Sequence, residues 1–202
     1  MSGYLQVNLK KLIEQIGEAE TKQILSDFSC PINPDVEDFL KNKAIEFAKQ
    51  GISATHLVMA SYKEEYILAG YYALANKILT VSKESIPSKS WQKRLNKFGQ
   101  FNSELKRYFI SSPLIGQLGK NFTYADKRLI TGDELLKLAL DKVVESHLIF
   151  GGKVVYLECE DKPQLLEFYS RNGFVNFGTR QLDRDEVDKT DGSYLVQMLK
   201  YF

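Results

Sequence analysis

The chain has 202 residues, 44% of them hydrophobic and 12% aromatic, enough apolar material for a substantial core and too much for wholesale disorder. Lys and Arg number 27 against 26 Asp and Glu, so no global field draws it to nucleic acid or to an anionic membrane. The opening MSGYLQVNLKKLIEQ lacks the apolar segment of a secretory signal, no apolar run approaches the roughly 18 residues of a membrane span, and Cys30 and Cys159 stand without metal-ligand spacing. These features predict a cytoplasmic protein with no disulfide framework, no metal and no membrane partner.

In chain order, residues 8–26 are predicted helical, with Leu9, Leu12, Ile13 and Ile16 on one stripe and Gly17 as a break. Asn33 caps a second helix with Pro34 in its first turn, and Gly51 ends it; the two helices make up the N-terminal 8–50. Ala54 to Tyr62 and Tyr66 to Val81 read as strands of a hairpin, and Gly70 marks a bulge or a close backbone approach.

Residues 82–109 form a basic insertion, in which seven Lys and Arg face Glu84 and Glu104 and alternate with Trp91, Phe98, Phe101 and Tyr108. It reads as a surface insertion with one or two helices anchored by its aromatics, or as a face that meets an acidic partner or a second copy of the chain.

The remaining stretch, 113–202, alternates strands and helices. Pro113 to Gly119 is a short strand, Thr131 to about His147 a helix, Val154 to Cys159 a buried strand and Asp161 to Asn172 a helix stopped by Gly173. Phe174 to Gly178 and Tyr194 to Leu199 are strands paired across an acidic loop. The order α α β β, insertion, β α β α β β predicts one α/β domain over 1–202, with a sheet carrying helices on both faces.

Two constellations carry chemistry. Thr131 and Glu134 make a capping box at a helix start. Free amides there, with Lys127, Arg128 and the small Gly132, suit an anion such as a pyrophosphate, although Asp133 and Glu134 place negative charge beside it; an ordinary capped helix is the alternative. The second is LECEDKPQLLEFYSRNGF, in which Asp161 and Gln164 are expected to cap a helix that bears Phe168 and Tyr169.

Strand, short polar link, helix and then F-Y-x-x-x-G-F, preceded by Leu157-Glu158, resembles the last helix and strand of the Gcn5-related N-acetyltransferases. The resemblance covers Pro113 to Phe202, and it implies an acyl-CoA N-acyltransferase fold with a mixed, mostly antiparallel sheet. It also implies acetyl-CoA as co-substrate and transfer of an acetyl group to a primary amine of a small molecule or protein. Tyr169 matches the tyrosine that protonates the departing thiolate, against a plain half-buried tyrosine as alternative, and Glu158 is the candidate base, against a carboxylate merely paired on the strand.

The family's Gln/Arg-x-x-Gly-x-Gly/Ala loop falls on Lys127 to Gly132, with Ile130 where the first glycine belongs and Lys127 for Gln or Arg. Cofactor contacts are thereby implied for Lys127, Arg128, Ile130, Thr131, Gly132 and Asp133, and for the splayed strand at Gln117, Leu118 and Gly119. The first half, through DFSCPINPDVEDFLKNKAIEF, THLVMASY and ILAGYYALA, is similar to a subgroup that includes bacterial toxins acetylating aminoacyl-tRNA. That leaves two alternatives to the amine acetyltransferase: a toxin using residues 82–109 on RNA, and a CoA-binding scaffold without turnover.

Overall fold

A computed structural model describes residues 3–182 and 192–202; most of the predicted acidic loop, residues 183–191, lies outside the described residues. The chain forms two compact units, each assembled from separate stretches: Met1–Ala75 with Gly116–Asp141, and Asn76–Ile115 with Lys142–Phe202.

In the first unit a short strand β1 (Leu5–Asn8) precedes the helices, where the sequence reading began a helix at Asn8. Asn8 instead ends the strand and caps α1 (Leu9–Ile16), its side chain accepting from the Lys11 amide. Gly17, at φ 88°, separates α1 from α2 (Glu18–Ser26), as expected. Asn33 caps α3 (Pro34–Asp38) through the Val36 amide. That helix passes through a π-helical turn, Phe39–Lys43, into α4 (Ala44–Gln50), and stops at left-handed Gly51. The wide turn is absent from a reading based on helical spacing, since Phe39 and Leu40 within it and Ala44 just after it are all buried.

Strands β2 (Ala54–Tyr62) and β3 (Glu65–Ser82) make the expected hairpin. Its two-residue turn puts both Lys63 and Glu64 at positive φ, the twist that matches paired strands. Both readings of Gly70 hold. Val58 faces Gly70 while Met59 faces Leu68, so Ala69 is the extra residue of a bulge. A Cβ on Gly70 would lie 2.7 Å from the Gly119 carbonyl oxygen.

The hydrogen-bonded order in this unit is β1-β2-β3-β5, the last being the end of β5 (Arg107–Lys120). Its core joins Leu9, Leu25, Phe28, Leu40, Leu57 and Tyr71. Gly119 sits against that core: a Cβ there would lie 2.4 Å from Val36 Cγ1 and 3.1 Å from Phe28 Cζ. Gly119→Ala is therefore expected to cost about 1–3 kcal/mol by overpacking, read as a fall in the urea midpoint.

In the second unit the order is β3-β5-β6-β8-β7, with β4 (Gly99–Asn102) on β5. The basic segment thus departs from a simple insertion. It holds α5 (Lys89–Phe98), capped by Ser88, but it also holds β4 and the first residues of β5. Its aromatics anchor it as expected: Trp91 packs edge-on against Phe177 at 4.9 Å and Tyr201 at 6.1 Å, and Tyr108 is buried.

Strand β5 begins at Arg107, six residues before the expected Pro113. Pro113 has no N–H for the ladder, and the buried Ser112 hydroxyl beside it donates to the Val154 carbonyl at 3.0 Å. Parallel pairing to β6 (Val154–Cys159) covers two positions, Leu114↔Tyr156 and Ile115↔Leu157. After α7 (Pro163–Arg171), β7 (Val175–Gln181) and β8 (Tyr194–Tyr201) pair antiparallel, and β8 also pairs with β6. The predicted cap of α7 is not formed. Lys162 occupies the N-cap position with no side-chain capping bond, its ammonium pairing instead with Glu160 at 2.8 Å, while Asp161 accepts from the Tyr194 hydroxyl at 2.6 Å. Among the described residues no helix is long and apolar enough to cross a membrane.

Candidate functional site

In the first unit, β5 leads into the loop before α6 (Gly132–Phe150). Asn121, buried at 6% exposure, holds the start of that loop. Its amide donates to the Asp27 and Leu68 carbonyls at 3.1 and 2.9 Å, and its oxygen accepts from the Ser29 and Thr123 amides at 2.9 and 3.0 Å. Sequence reasoning passed over it, because a single Asn in a polar loop carries no local signal.

The candidate anion loop follows. Arg128 is left-handed at φ 46°, and the Ile130 side chain is buried at 3% exposure, so it serves the core and could reach a ligand only through its backbone. The capping box forms as predicted: Glu134 accepts from the Thr131 amide and hydroxyl at 2.8 and 2.7 Å, and the Glu134 amide donates to Thr131 Oγ1 at 3.2 Å. The Thr131 amide, one of those that the signature offers, is therefore already bonded within the cap. These bonds, the Thr131 amide first, hold the Glu134 carboxyl below its usual range. Tyr4 donates to the Leu129 carbonyl at 3.2 Å. Burial, and then a hydrogen bond to Glu134, raise the Tyr4 hydroxyl's pKa.

Of the other assigned residues in this unit, Lys127 lies with its ammonium 4.6 Å from the Tyr62 ring centre and 4.4 Å from that of Tyr124. Gln117 donates to Asp35 at 3.2 Å, Leu118 is half-buried and Gly119 buried, while Gly132 is half-buried and Asp133 exposed in the first turn of α6.

In the second unit, Glu158 on β6 accepts from Arg180 Nε at 2.8 Å and from Gln197 Nε2 at 2.9 Å. Gln197 lies directly opposite Glu158 on β8, and Arg180 reaches the carboxylate from β7, where it is paired with Leu195. Arg180 and Gln197 are functional neighbours that only the sheet register reveals. Beside them, burial pushes the Tyr156 hydroxyl up to about 12, helped by Glu158 and opposed by Arg180.

Tyr169 on α7 packs edge-on against Phe168 at 5.0 Å and Phe174 at 5.8 Å. Burial, and then Cys159, raise its pKa well above the usual tyrosine value. Its hydroxyl has no hydrogen bond among the described residues. Helix α7 ends on Gly173 at φ 84°, with the Phe174 amide donating to the Tyr169 carbonyl at 3.1 Å, so the Gly-Phe pair fixes the tyrosine's backbone.

Both histidines and two tyrosines serve the structure. Burial lowers the His147 pKa, and its ring bonds the Val154 carbonyl at 3.2 Å. His56 stacks on Tyr72 at 5.0 Å. Tyr71 and Tyr72 are both fully buried and bonded to the Val36 carbonyl and to Gln6. No cluster of metal-ligating residues occurs among the described residues.

No family model matches the sequence, and no curated protein matches it. Solved structures do match. A Tyr-to-Phe mutant of KacT is 15% identical at a TM-score of 0.61, covering 98% of this chain and 95% of that one. AtaT complexed with acetyl-methionyl-tRNAfMet is 17% identical at a TM-score of 0.62, covering 96% and 94%. AtaTR bound with AcCoA is 16% identical at a TM-score of 0.54, covering 96% and 91%. At these identities the likeness shows the fold, which is the mixed, mostly antiparallel α/β architecture expected from the sequence.

Proposed function

We propose that this chain, which has the Gcn5-related N-acetyltransferase fold, transfers the acetyl group of acetyl-CoA directly to a primary amine. The observation that carries the reading is Tyr169, a tyrosine in the matching F-Y-x-x-x-G-F stretch, held by ring contacts with Phe168 and Phe174. The likeness of nearly the whole chain to a structure bound with AcCoA supports the co-substrate.

A neutral amine attacks the thioester carbonyl, since a protonated one, with pKa about 10.4, has no free electron pair. The new C–N bond forms and the C–S bond breaks, and Tyr169 gives its proton to the departing thiolate, as the resemblance implies. The amine's surplus proton is assigned to Glu158. Arg180 and Gln197 hold that carboxylate at 2.8 and 2.9 Å, and the proton passes to it directly or through a bonded water. Gln117 to Gly119 and the stretch Lys127 to Asp133 are the proposed acetyl-CoA contacts, through backbone groups and the Lys127 and Arg128 charges.

The test is thermal unfolding with and without acetyl-CoA, on the wild type and on Gly132→Trp. At a hundred times its dissociation constant the ligand adds about 2.7 kcal/mol, a plainly visible shift. A shift lost in Gly132→Trp supports the site; no shift in the wild type rejects acetyl-CoA as substrate, and a shift without turnover on any amine leaves a CoA-binding scaffold. Glu134→Gln probes the same loop. It keeps an oxygen for the Thr131 amide and removes the negative charge at the helix start, so acetyl-CoA is expected to bind about five- to ten-fold more tightly by calorimetry.

A second reading has support of its own. AtaT, alike over nearly the whole chain, was solved with acetyl-methionyl-tRNAfMet, which makes aminoacyl-tRNA a specific source of the amine. Some of the basic segment is already engaged within the fold: Arg94 lies over the Trp91 and Tyr201 rings at 5.2 and 4.8 Å. RNA binding that weakens steeply with salt, and growth arrest on expression, are the results that select this reading.

A further inference from the structure

Tyr4 is half-buried and stands one residue before β1, whose pairing from Leu5↔Met59 to Asn8↔His56 fixes its backbone. Its hydroxyl donates to the Leu129 carbonyl at 3.2 Å, across 125 residues of chain, and also meets the Glu134 carboxylate of the capping box. In a flat trans peptide the C=O and the following N–H point opposite ways. The bond to Tyr4 therefore turns the Ile130 N–H away from Tyr4. That amide donates no hydrogen bond among the described residues, although Ile130 is only 3% exposed, and the Leu129 amide before it donates none either. A buried donor without a partner is costly, and an anionic oxygen relieves that cost.

We propose that Tyr4 is a positioning residue for the acetyl-CoA pyrophosphate: it holds the peptide between Leu129 and Ile130 so that the Ile130 amide is offered to a phosphate oxygen. This inference rests on the acetyl-CoA reading above. Ile130 stands where the family signature has its first glycine. Its buried side chain anchors one side of the peptide in the core, and the Tyr4 hydroxyl fixes the other, so the loop is oriented from outside rather than by its own glycine. Tyr4 touches none of the reacting atoms in this arrangement. It acts on the binding of acetyl-CoA and not on the transfer step.

The test is binding of CoA to the full chain, wild type and Tyr4→Phe, by calorimetry and by the amide spectrum of protein labelled with 15N-isoleucine. Ile130→Val identifies the Ile130 signal. Tyr4→Phe keeps the ring and removes only the hydroxyl, and it is expected to weaken CoA about five-fold, the worth of one hydrogen bond. In the wild type the Ile130 amide is expected to move downfield when CoA binds, and in Tyr4→Phe at saturating CoA to lose most of that shift. Equal affinity in the two proteins overturns the proposal alone. So does a weakened affinity that leaves the Ile130 shift whole, since a merely structural role for Tyr4 gives that result, and so does an Ile130 amide that stays in place when the wild type binds CoA. Failure of CoA to bind the wild type removes the acetyl-CoA reading and this inference with it.

Discussion

Replacing Tyr169 by Phe is expected to lower the rate of acetyl transfer about a hundred- to a thousand-fold while leaving acetyl-CoA affinity within about two-fold. The substitution removes one oxygen. The ring contacts with Phe168 and Phe174 persist, and the hydroxyl makes no hydrogen bond among the described residues, so folding has little to lose. The rate is read with a fixed amine at saturating acetyl-CoA, and affinity by calorimetry. A variant that turns over at the wild-type rate removes Tyr169 from the chemistry.

The raised pKa has a stability counterpart. Burial holds the hydroxyls of Tyr71, Tyr156 and Tyr169 above the ordinary tyrosine value of 10.0. Their stabilising contribution is whole below that pH. It is lost as pH rises from there through the folded values, because the unfolded chain releases these protons first.

Asn121→Ala is expected to destabilise the protein by about 3 kcal/mol, the largest single loss foreseen outside the apolar core. Four bonds go at once, and they leave the buried Leu68 carbonyl and the half-buried Ser29 amide short of partners. These bonds tie the end of β5 to α2 and β3, so the loop that carries Lys127 to Gly132 loses its root. Denaturant unfolding reads the stability, and acetyl-CoA affinity is expected to fall in parallel. A loss below about 1 kcal/mol would mean that water replaces the amide.

The parts of this fold that were legible in the sequence are those decided within a few residues. The Asn33 cap, the Thr131–Glu134 box, the Gly173 stop and the Gly70 bulge each follow from a side chain or its absence acting on its own neighbourhood. The failures have the opposite cause. Strand β1 is only four residues long and is held by pairing with β2, fifty residues away. The first residues of β5 are basic and aromatic, and Pro113 looks like a strand's beginning until Ser112 is seen to replace its missing donor. Asp161 was free to cap α7 until β8 brought Tyr194 to it. At the site, Tyr169 was visible because it sits in a motif. The partners of Glu158 come from two other strands, and the ring pair around Lys127 comes from elements sixty residues apart.

Both cysteines are buried, and burial raises both thiols, Cys159 up to about 12. Thiolate, the reactive form, is thus scarce at neutral pH on groups that a reagent can hardly reach. The protein is therefore its own clean background for a colorimetric thiol assay. With Cys30 and Cys159 silent, every equivalent of colour in a reaction mixture reports free CoA leaving the enzyme, and acceptor amines can be screened continuously without first engineering the cysteines away.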